Sequence, residues 1–422
     1  MSSTSFVPDA RRPADTGLGQ RIIALADRLA AQSETPAGLT CTFLSNAHRS
    51  VANEIATLMA AAGLEVTTDA AANVVGRYRS KDQSAKTIIV GSHYDTVRDA
   101  GKFDGRLGIL AGLVVAEDLV LNGVSLPFNL ELIAFSEEEG VRFSTSYIGS
   151  SAIAGRFNAG LLNRRDANGM SLAEALRAAS HDPQDIMALA RGRETLAGYL
   201  EVHIEQGPVL LNGNMPVGIV TDIAGNSRFL VSIEGEAGHA GTVPMELRHD
   251  AAAAAAEITL MLEQFCKQRG LLGTVGQFSV PDGAINLVPG RCEMSIDIRS
   301  ANDARRKAGV VDVLANITQI ADRRGVKATC VEVLDEAAVP CSARLQAAFA
   351  AAITRAGIPV RRLPSGAGHD AVMFSGLTDI GMLFVRCGNG GVSHSPRETV
   401  DAADAGIAAR ILYDVIINLG KV

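Results

Sequence analysis

The chain has 422 residues, of which 47% are hydrophobic and 20% charged, and its formal net charge is −7. On a prior of roughly 100–200 residues per domain this length predicts two or three domains, and the composition excludes disordered and fibrous classes. Lys and Arg are scattered without a basic stripe, which excludes a sequence-independent nucleic-acid binder.

Residues 1–17 are rich in Ser, Pro, Asp and Arg and lack an apolar h-region, so a disordered tail is expected there and not a signal peptide. No apolar run approaches the roughly 18 residues of a membrane span. The richest stretch, Ala251 to Leu262, is broken by Glu257. The six cysteines form no C-x-x-C pair and read as buried thiols in a reducing cytosol. A soluble, cytoplasmic protein without a membrane partner is expected.

In chain order, Leu18–Gln32 and Val51–Ala62 carry apolar residues at helical spacing. Thr87–Val90 is a short β-branched strand that delivers Gly91 onward into a loop. Gly108–Leu121 reads as a helix closed by Asn122-Gly123, and Phe128–Phe135 as a strand running into Glu137-Glu138-Glu139. Strand, helix and strand at this spacing indicate a parallel sheet covered by helices. After the strand Leu200–Ile204 a turn-rich stretch, Asn212–Pro216, opens a self-contained set. It holds strands at Phe229–Ile233, Cys292–Ile298 and Lys327–Val333, with helices at Asp250–Arg269 and Asp303–Arg324. From Pro340 the first pattern resumes, with helices Ala343–Ala356 and Ala402–Leu419 around the strand Gly381–Val385. The expected fold is α/β. A mixed, largely parallel sheet domain at 18–213 and 335–422 is interrupted by a smaller α+β domain, a sheet plus two helices, at 214–334.

The chemistry gathers at strand ends. His93 follows one strand directly, Asp104 opens a helix, Glu137 to Glu139 end another strand, and His203 ends a fourth. His394 lies in a Gly- and Ser-rich loop. Ligands of open α/β sheets bind at the carboxyl ends of the strands, so all these residues are expected at one edge. Imidazole and carboxylate suit zinc or manganese, and one carboxylate can bridge two ions. Asp95, two residues after His93, is placed to accept the ring's other N–H. Any one His beside a carboxylate is more often a structural hydrogen bond, but five such strand ends in one chain argue for a site. The sequence leaves Glu137, Glu138 and Glu139 unranked, since neighbours on an extended strand point oppositely.

Eight segments occur in a telling order: Gly91 to Thr96, Asp104-Gly105, Glu138 to Gly140, His203 to Gly207, Gly238 to Thr242, Asn286 to Gly290, Asp297 to Arg299 and Ser365 to Ala371. Together they resemble the amidase/carbamoylase branch of the dinuclear zinc aminoacylase-like hydrolases, over essentially the whole chain beyond the tail. The resemblance implies two divalent metal ions, zinc or manganese, in each subunit. His93, Asp104 and His203 would hold one, and the shared Asp104 with Glu139 and His394 the other. It implies Glu138 as general base and demotes Glu137. Arg228, Arg299 and Asn286 would anchor a substrate carboxylate or ureido oxygens, with Gln206 and Gly368 also facing substrate. His239 resembles a residue that crosses from the partner of a homodimer to the oxyanion, which makes the inserted domain both lid and dimer contact. Gly238 stands where many relatives carry Asn.

The implied activity is metal-dependent hydrolysis of a linear ureido amide. Allantoate ranks first, because the sequence shows no obvious aromatic or aliphatic lining beside the two arginines. N-carbamoyl-L-amino acids or β-ureidopropionate rank second. An aminopeptidase or acylase, and a metal-binding scaffold without catalysis, are the competing expectations.

Overall fold

A computed structural model of the chain describes residues 15–419. Of the expected tail, 1–14 lie outside the described residues, while 15–17 already belong to the first helix. The chain opens with α1 (Asp15–Ala30), α2 (Asn46–Ala61), β1 (Glu65–Thr68), β2 (Val74–Tyr78), β3 (Thr87–His93) and α3 (Arg106–Leu121). It continues through β4 (Asn129–Phe135), α4 (Ile148–Ile153), α5 (Leu172–Ala178), β5 (Leu196–Ile204), α6 (Val209–Asn212) and β6 (Val217–Ile223). Next come β7 (Gly225–Glu234), β8 (Gly238–His239), α7 (Ala251–Arg269), β9 (Leu272–Thr274) and β10 (Phe278–Ser279). They are followed by β11 (Leu287–Val288), β12 (Arg291–Ser300), α8 (Asp303–Arg324), β13 (Lys327–Glu336) and β14 (Val339–Pro340). The last elements are α9 (Ala343–Arg355), β15 (Arg362–Ser365), β16 (Ile380–Val385) and α10 (Ala402–Leu419).

Two compact units result. Of the described residues, the first comprises those from Asp15 to Thr221, Cys341–Leu363 and those from His369 to Leu419; the second comprises Asp222–Pro340 and Pro364–Gly368. The inserted segment was expected at 214–334. Its start lies later because β6 pairs with β16 over Val217–Ile219 and belongs to the first unit up to Thr221, and its end lies later because β13 runs on to Glu336 and β14 pairs with Asp222 and Ile223.

The first unit is the mixed, largely parallel α/β layer read from the sequence. Its sheet runs β1-β2-β4-β3-β5-β16-β6. The central strands β4, β3, β5 and β16 are mutually parallel, and antiparallel strands flank them. Apart from their first residue, β3 and β4 are buried along their whole length, as strands covered on both faces must be. Helix α3 is buried from Arg106 to Ala116 and shares one core with α1, α9 and α10. The second unit is an antiparallel sheet, β10-β12-β7-β13, with β9 on β12. Alternate residues of β12 point into a core closed by α7 and α8, and Leu230, Val331 and Val333 stay exposed. Among the described residues no helix is long and apolar enough to cross a membrane.

Candidate active site

The four parallel strands bring their carboxyl ends to one edge. Strand β3 runs three residues further than its β-branched pattern suggested, because Gly91-Ser92-His93 continue the ladder against Ile133, Ala134 and Phe135. His93 therefore ends β3 level with the last residue of β4, and the acids Glu137 to Glu139 follow at once. His203 sits opposite Phe384 of β16. The His93 and His203 rings come to 5.7 Å between centroids.

Asp104 is the centre of the cluster. Its Oδ1 lies 3.3 Å from His203 Nε2 and 3.7 Å from His93 Nε2, and its Oδ2 lies 3.1 Å from His394 Nε2. His394 Nε2 is also 3.7 Å from Glu139 Oε1. Ligand atoms lie within 4.8 Å of one another in His93–Asp104–His203 and again in Asp104–Glu139–His394. Gly105 makes this approach possible. It has φ +66°, and a Cβ there would fall 2.5 Å from three atoms of the His93 ring.

The ring tautomers follow from their partners. His203 Nδ1–H donates to the Ile204 carbonyl at 2.9 Å, so the Nε2 lone pair faces the cluster, where the Gly105 N–H points to it at 3.2 Å. His93 Nδ1 lies 3.2 Å from the Asp95 carbonyl and 3.5 Å from its carboxylate. Asp95 thus lies against the ring's other nitrogen through both its carbonyl and its carboxylate. The same carboxylate also accepts the Glu138 N–H at 3.0 Å and the Glu139 N–H at 3.1 Å.

These bonds rank the three acids. Glu137 adopts φ +51° and its Oε1 accepts the Arg142 N–H at 3.3 Å, so its side chain joins no ligand group. Glu139 belongs to two groups, one with Asp104 and His394 and one with His93 and Glu138; Glu138 belongs only to the second. Gln206 and His394 also carry positive φ, so three non-glycine residues in left-handed backbone sit at this edge.

Electrostatics is dominated by burial. Burial alone would raise the Asp104 carboxyl, but hydrogen bonds with His394 and His93 hold it well below the usual range. Burial raises Glu138 well above that range and, with Asp104 nearby, pushes Glu139 up to about 7. Burial lowers His203 to about 4, while its bond to Asp104 raises His394 to about 9. Glu139 Oε1 is buried without a donor. A donor-less buried oxygen beside inward-facing imidazole lone pairs is what a divalent cation satisfies, and the nitrogen–oxygen set suits zinc or manganese.

Sequence reasoning missed several neighbours. Gln206, expected to face substrate, donates from Nε2 to Asp104 Oδ2 at 2.8 Å. Ser393 Oγ reaches the same oxygen at 2.8 Å and Glu398 Oε2 at 3.0 Å. Beneath His203, Glu201 accepts from Ser92 Oγ at 2.9 Å, Tyr199 Oη at 3.0 Å and the Ala371 N–H at 3.2 Å. Burial pushes its carboxyl up to about 8. An acid inside the apolar strand β5 was the one available signal. His369 packs edge-on against His203, with centroids 4.5 Å apart.

The remaining candidates lie in the second unit. His239 and Asn286 are both exposed, and the short β8–β11 ladder brings their strands together, with the Ala240 N–H on the Asn286 carbonyl at 2.9 Å. Arg228 and Arg299 converge on one carboxylate, Asp297, at 2.8 and 2.7 Å. Arg299 also donates to the Gly366 carbonyl at 2.7 Å. Gly368 is exposed, and the Ala367 N–H is already bonded to Ser365 Oγ at 3.1 Å. The expectation of no aliphatic lining fails here. The arginines open on a groove of 640 Å³ with Leu230, Leu272 and Val333 on its walls.

Imidazoles and carboxylates gathered round one shared carboxylate, at the carboxyl edge of a largely parallel sheet, define a metal-dependent hydrolase of the α/β class. The chain belongs to peptidase family M20/M25/M40, which it matches over residues 89–418. It is 39% identical to an N-carbamoyl-L-amino acid amidohydrolase of Geobacillus stearothermophilus, covering 96% of this chain and 98% of that protein. It is 38% identical to allantoate deiminase 1 of Glycine max, covering 95% of this chain and 90% of the other. The crystal structure of an amidase of the hydantoinase/carbamoylase family from Burkholderia multivorans superposes with TM-score 0.89 at 28% identity, covering 95% and 98% of the two chains. The branch read from the ordered motifs is therefore the branch of the relatives, and the chain is a hydrolase of carbon–nitrogen bonds.

Proposed function

We propose that the chain hydrolyses the carbamoyl C–N bond of a small ureido carboxylate, with allantoate as first candidate and ureidoglycine, ammonia and carbon dioxide as products. The carrying observation is the pair of three-residue groups that share Asp104, with Glu138 in neither of them. His93, Asp104 and His203 would hold one divalent ion, and Asp104, Glu139 and His394 the other. When bound, the ions supply Lewis acidity to the carbonyl. Glu138 takes a proton from the attacking water as the new C–O bond forms. It returns that proton to the leaving nitrogen as the C–N bond breaks. The carbamate released falls apart to carbon dioxide and ammonia. Asp95 holds the Glu138 backbone in place, and Gln206 and Ser393 fix Asp104. Arg228 and Arg299, which meet at Asp297, offer guanidinium groups suited to the substrate carboxylate.

A second reading, an N-carbamoyl-L-amino acid with an apolar side chain, is favoured by Leu230, Leu272 and Val333 beside those arginines. One panel decides: ammonia release from allantoate, ureidoglycolate, β-ureidopropionate and N-carbamoyl-L-methionine by the manganese-loaded enzyme. Allantoate is expected to lead. A kcat/KM on N-carbamoyl-L-methionine about tenfold above it, roughly 1.4 kcal/mol in transition-state binding, installs the second reading. N-acetyl amino acids or peptides outpacing every ureido compound would refute both. The second unit is read as lid and dimer contact, with His239 acting across the interface; sedimentation of a fully active monomer would refute that.

A further inference from the structure

Glu398 lies 294 residues from Asp104 in the sequence and touches it in the fold. The residue is 3% exposed. Oε1 accepts the Phe103 N–H at 2.8 Å and the Asp104 N–H at 3.2 Å. Oε2 lies 3.0 Å from Ser393 Oγ, the hydroxyl that reaches Asp104 Oδ2 at 2.8 Å. One carboxylate thus ties the backbone of the Asp104 turn to the loop that carries His394. Beside the Gly105 N–H on His203 Nε2, this carboxylate is what meets the turn's backbone: Gly105, which caps α3, has no side chain to offer, and the Phe103 and Asp104 N–H groups would otherwise be buried donors. The opposing wall is shaped for Glu398 as well. A Cβ on Gly101 would lie 2.3 Å from its carboxyl carbon and Oε1 and 2.4 Å from its Cβ.

We propose that Glu398 is a positioning residue: it locks the shared carboxylate Asp104 to the His394 loop, so that the Asp104–Glu139–His394 group keeps the geometry that holds its ion. The proposal rests on the metal reading above. It assigns Glu398 no contact with substrate. It also explains why the chain carries Gly at 101 and Ser at 393, which no ligand role requires.

The experiment is Co²⁺ titration of the metal-stripped full chain, followed by visible absorption and calorimetry, for the parent, Glu398→Ala, Glu398→Gln and Ser393→Ala. Supporting contacts of metal ligands are typically worth about 10–100-fold in affinity. Glu398→Ala is therefore expected to bind one of two Co²⁺ ions at least about tenfold more weakly, with an altered d–d spectrum and a lower kcat at nearly constant KM. Glu398→Gln keeps an acceptor for both N–H groups and a donor for Ser393, and should restore parental binding. Ser393→Ala should fall between them, and it carries the test if Glu398→Ala fails to fold. Parental affinity and spectrum in Glu398→Ala or, failing that, in Ser393→Ala overturn the proposal while leaving the metal reading intact. A parent that takes up no Co²⁺ overturns the metal reading, and the proposal with it.

Discussion

Replacing Gly105 by alanine adds one methyl group at the point where the Asp104 turn passes His93. The Cβ would sit 2.5 Å from Cγ, Cδ2 and Cε1 of the ring, whereas ordinary contact begins at 3.4 Å. The ring must therefore withdraw by about 1 Å, a misplacement that costs on the order of 10²-fold in rate when it reaches a catalytic constellation. The backbone at φ +66° and ψ −54° is one that residues with a Cβ rarely adopt, and it adds a second cost of roughly 1–3 kcal/mol. That second term lowers the melting temperature by a few degrees in a chain of this size. Gly123 separates the two effects. It too has a positive φ, +58°, but no described atom lies within 4 Å of its Cβ position. Gly123→Ala should melt earlier and keep its kcat/KM; Gly105→Ala should melt earlier and lose about 100-fold. Ammonia release over a substrate series and a thermal melt by circular dichroism read both quantities on the same preparations. A Gly105→Ala enzyme with more than about a tenth of parental kcat/KM would refute the reasoning, because the ring would then have room that the geometry denies it.

Glu138→Gln removes the proton acceptor and leaves all five proposed ligands in place, so kcat should fall by about 10²–10⁴ while metal content by plasma emission stays parental. A variant retaining most of its turnover would move the base elsewhere. His48 supplies a pH test away from the proposed ligands. It is buried against Phe43 and Tyr94, its Nε2 has no hydrogen-bond partner among the described residues, and burial pushes it down to about 3. The folded value lies below the ordinary one near 6.5. The unfolded chain therefore binds the proton first, and stability drains away as pH falls from about 6.5 toward 3. His48→Phe should lose about 2 kcal/mol less than the parent between pH 7 and pH 5, measured by urea unfolding. Equal losses in the two proteins would show that His48 is already protonated in the fold.

Much of this architecture is local and was legible as such. Helix α8 has the limits the sequence suggests because both are set within a few residues: Asn302 accepts the Arg305 N–H at 2.9 Å, and Gly325 turns out of the helix at φ +65°. The parallel core was equally readable, since strands buried on both faces leave unbroken apolar runs that end at chemistry-bearing residues. The ordered motifs named the amidase branch for the same reason: each is a short string read without knowing its neighbours. What the strings do not contain is register and side-chain partnership across distance. Only the ladder setting Asp297 opposite Arg228 shows that both arginines share one carboxylate. The positive φ at Glu137, which a string of three acids does not reveal, goes with its absence from the group that Glu138 and Glu139 form with His93. The short strands β1 and β2 were missed because their pairing partners, and not their own composition, make them strands. Glu398 was invisible for the plainest physical reason. A carboxylate's role depends on which donors it meets, and its two N–H partners lie nearly three hundred residues upstream, brought to it by packing alone.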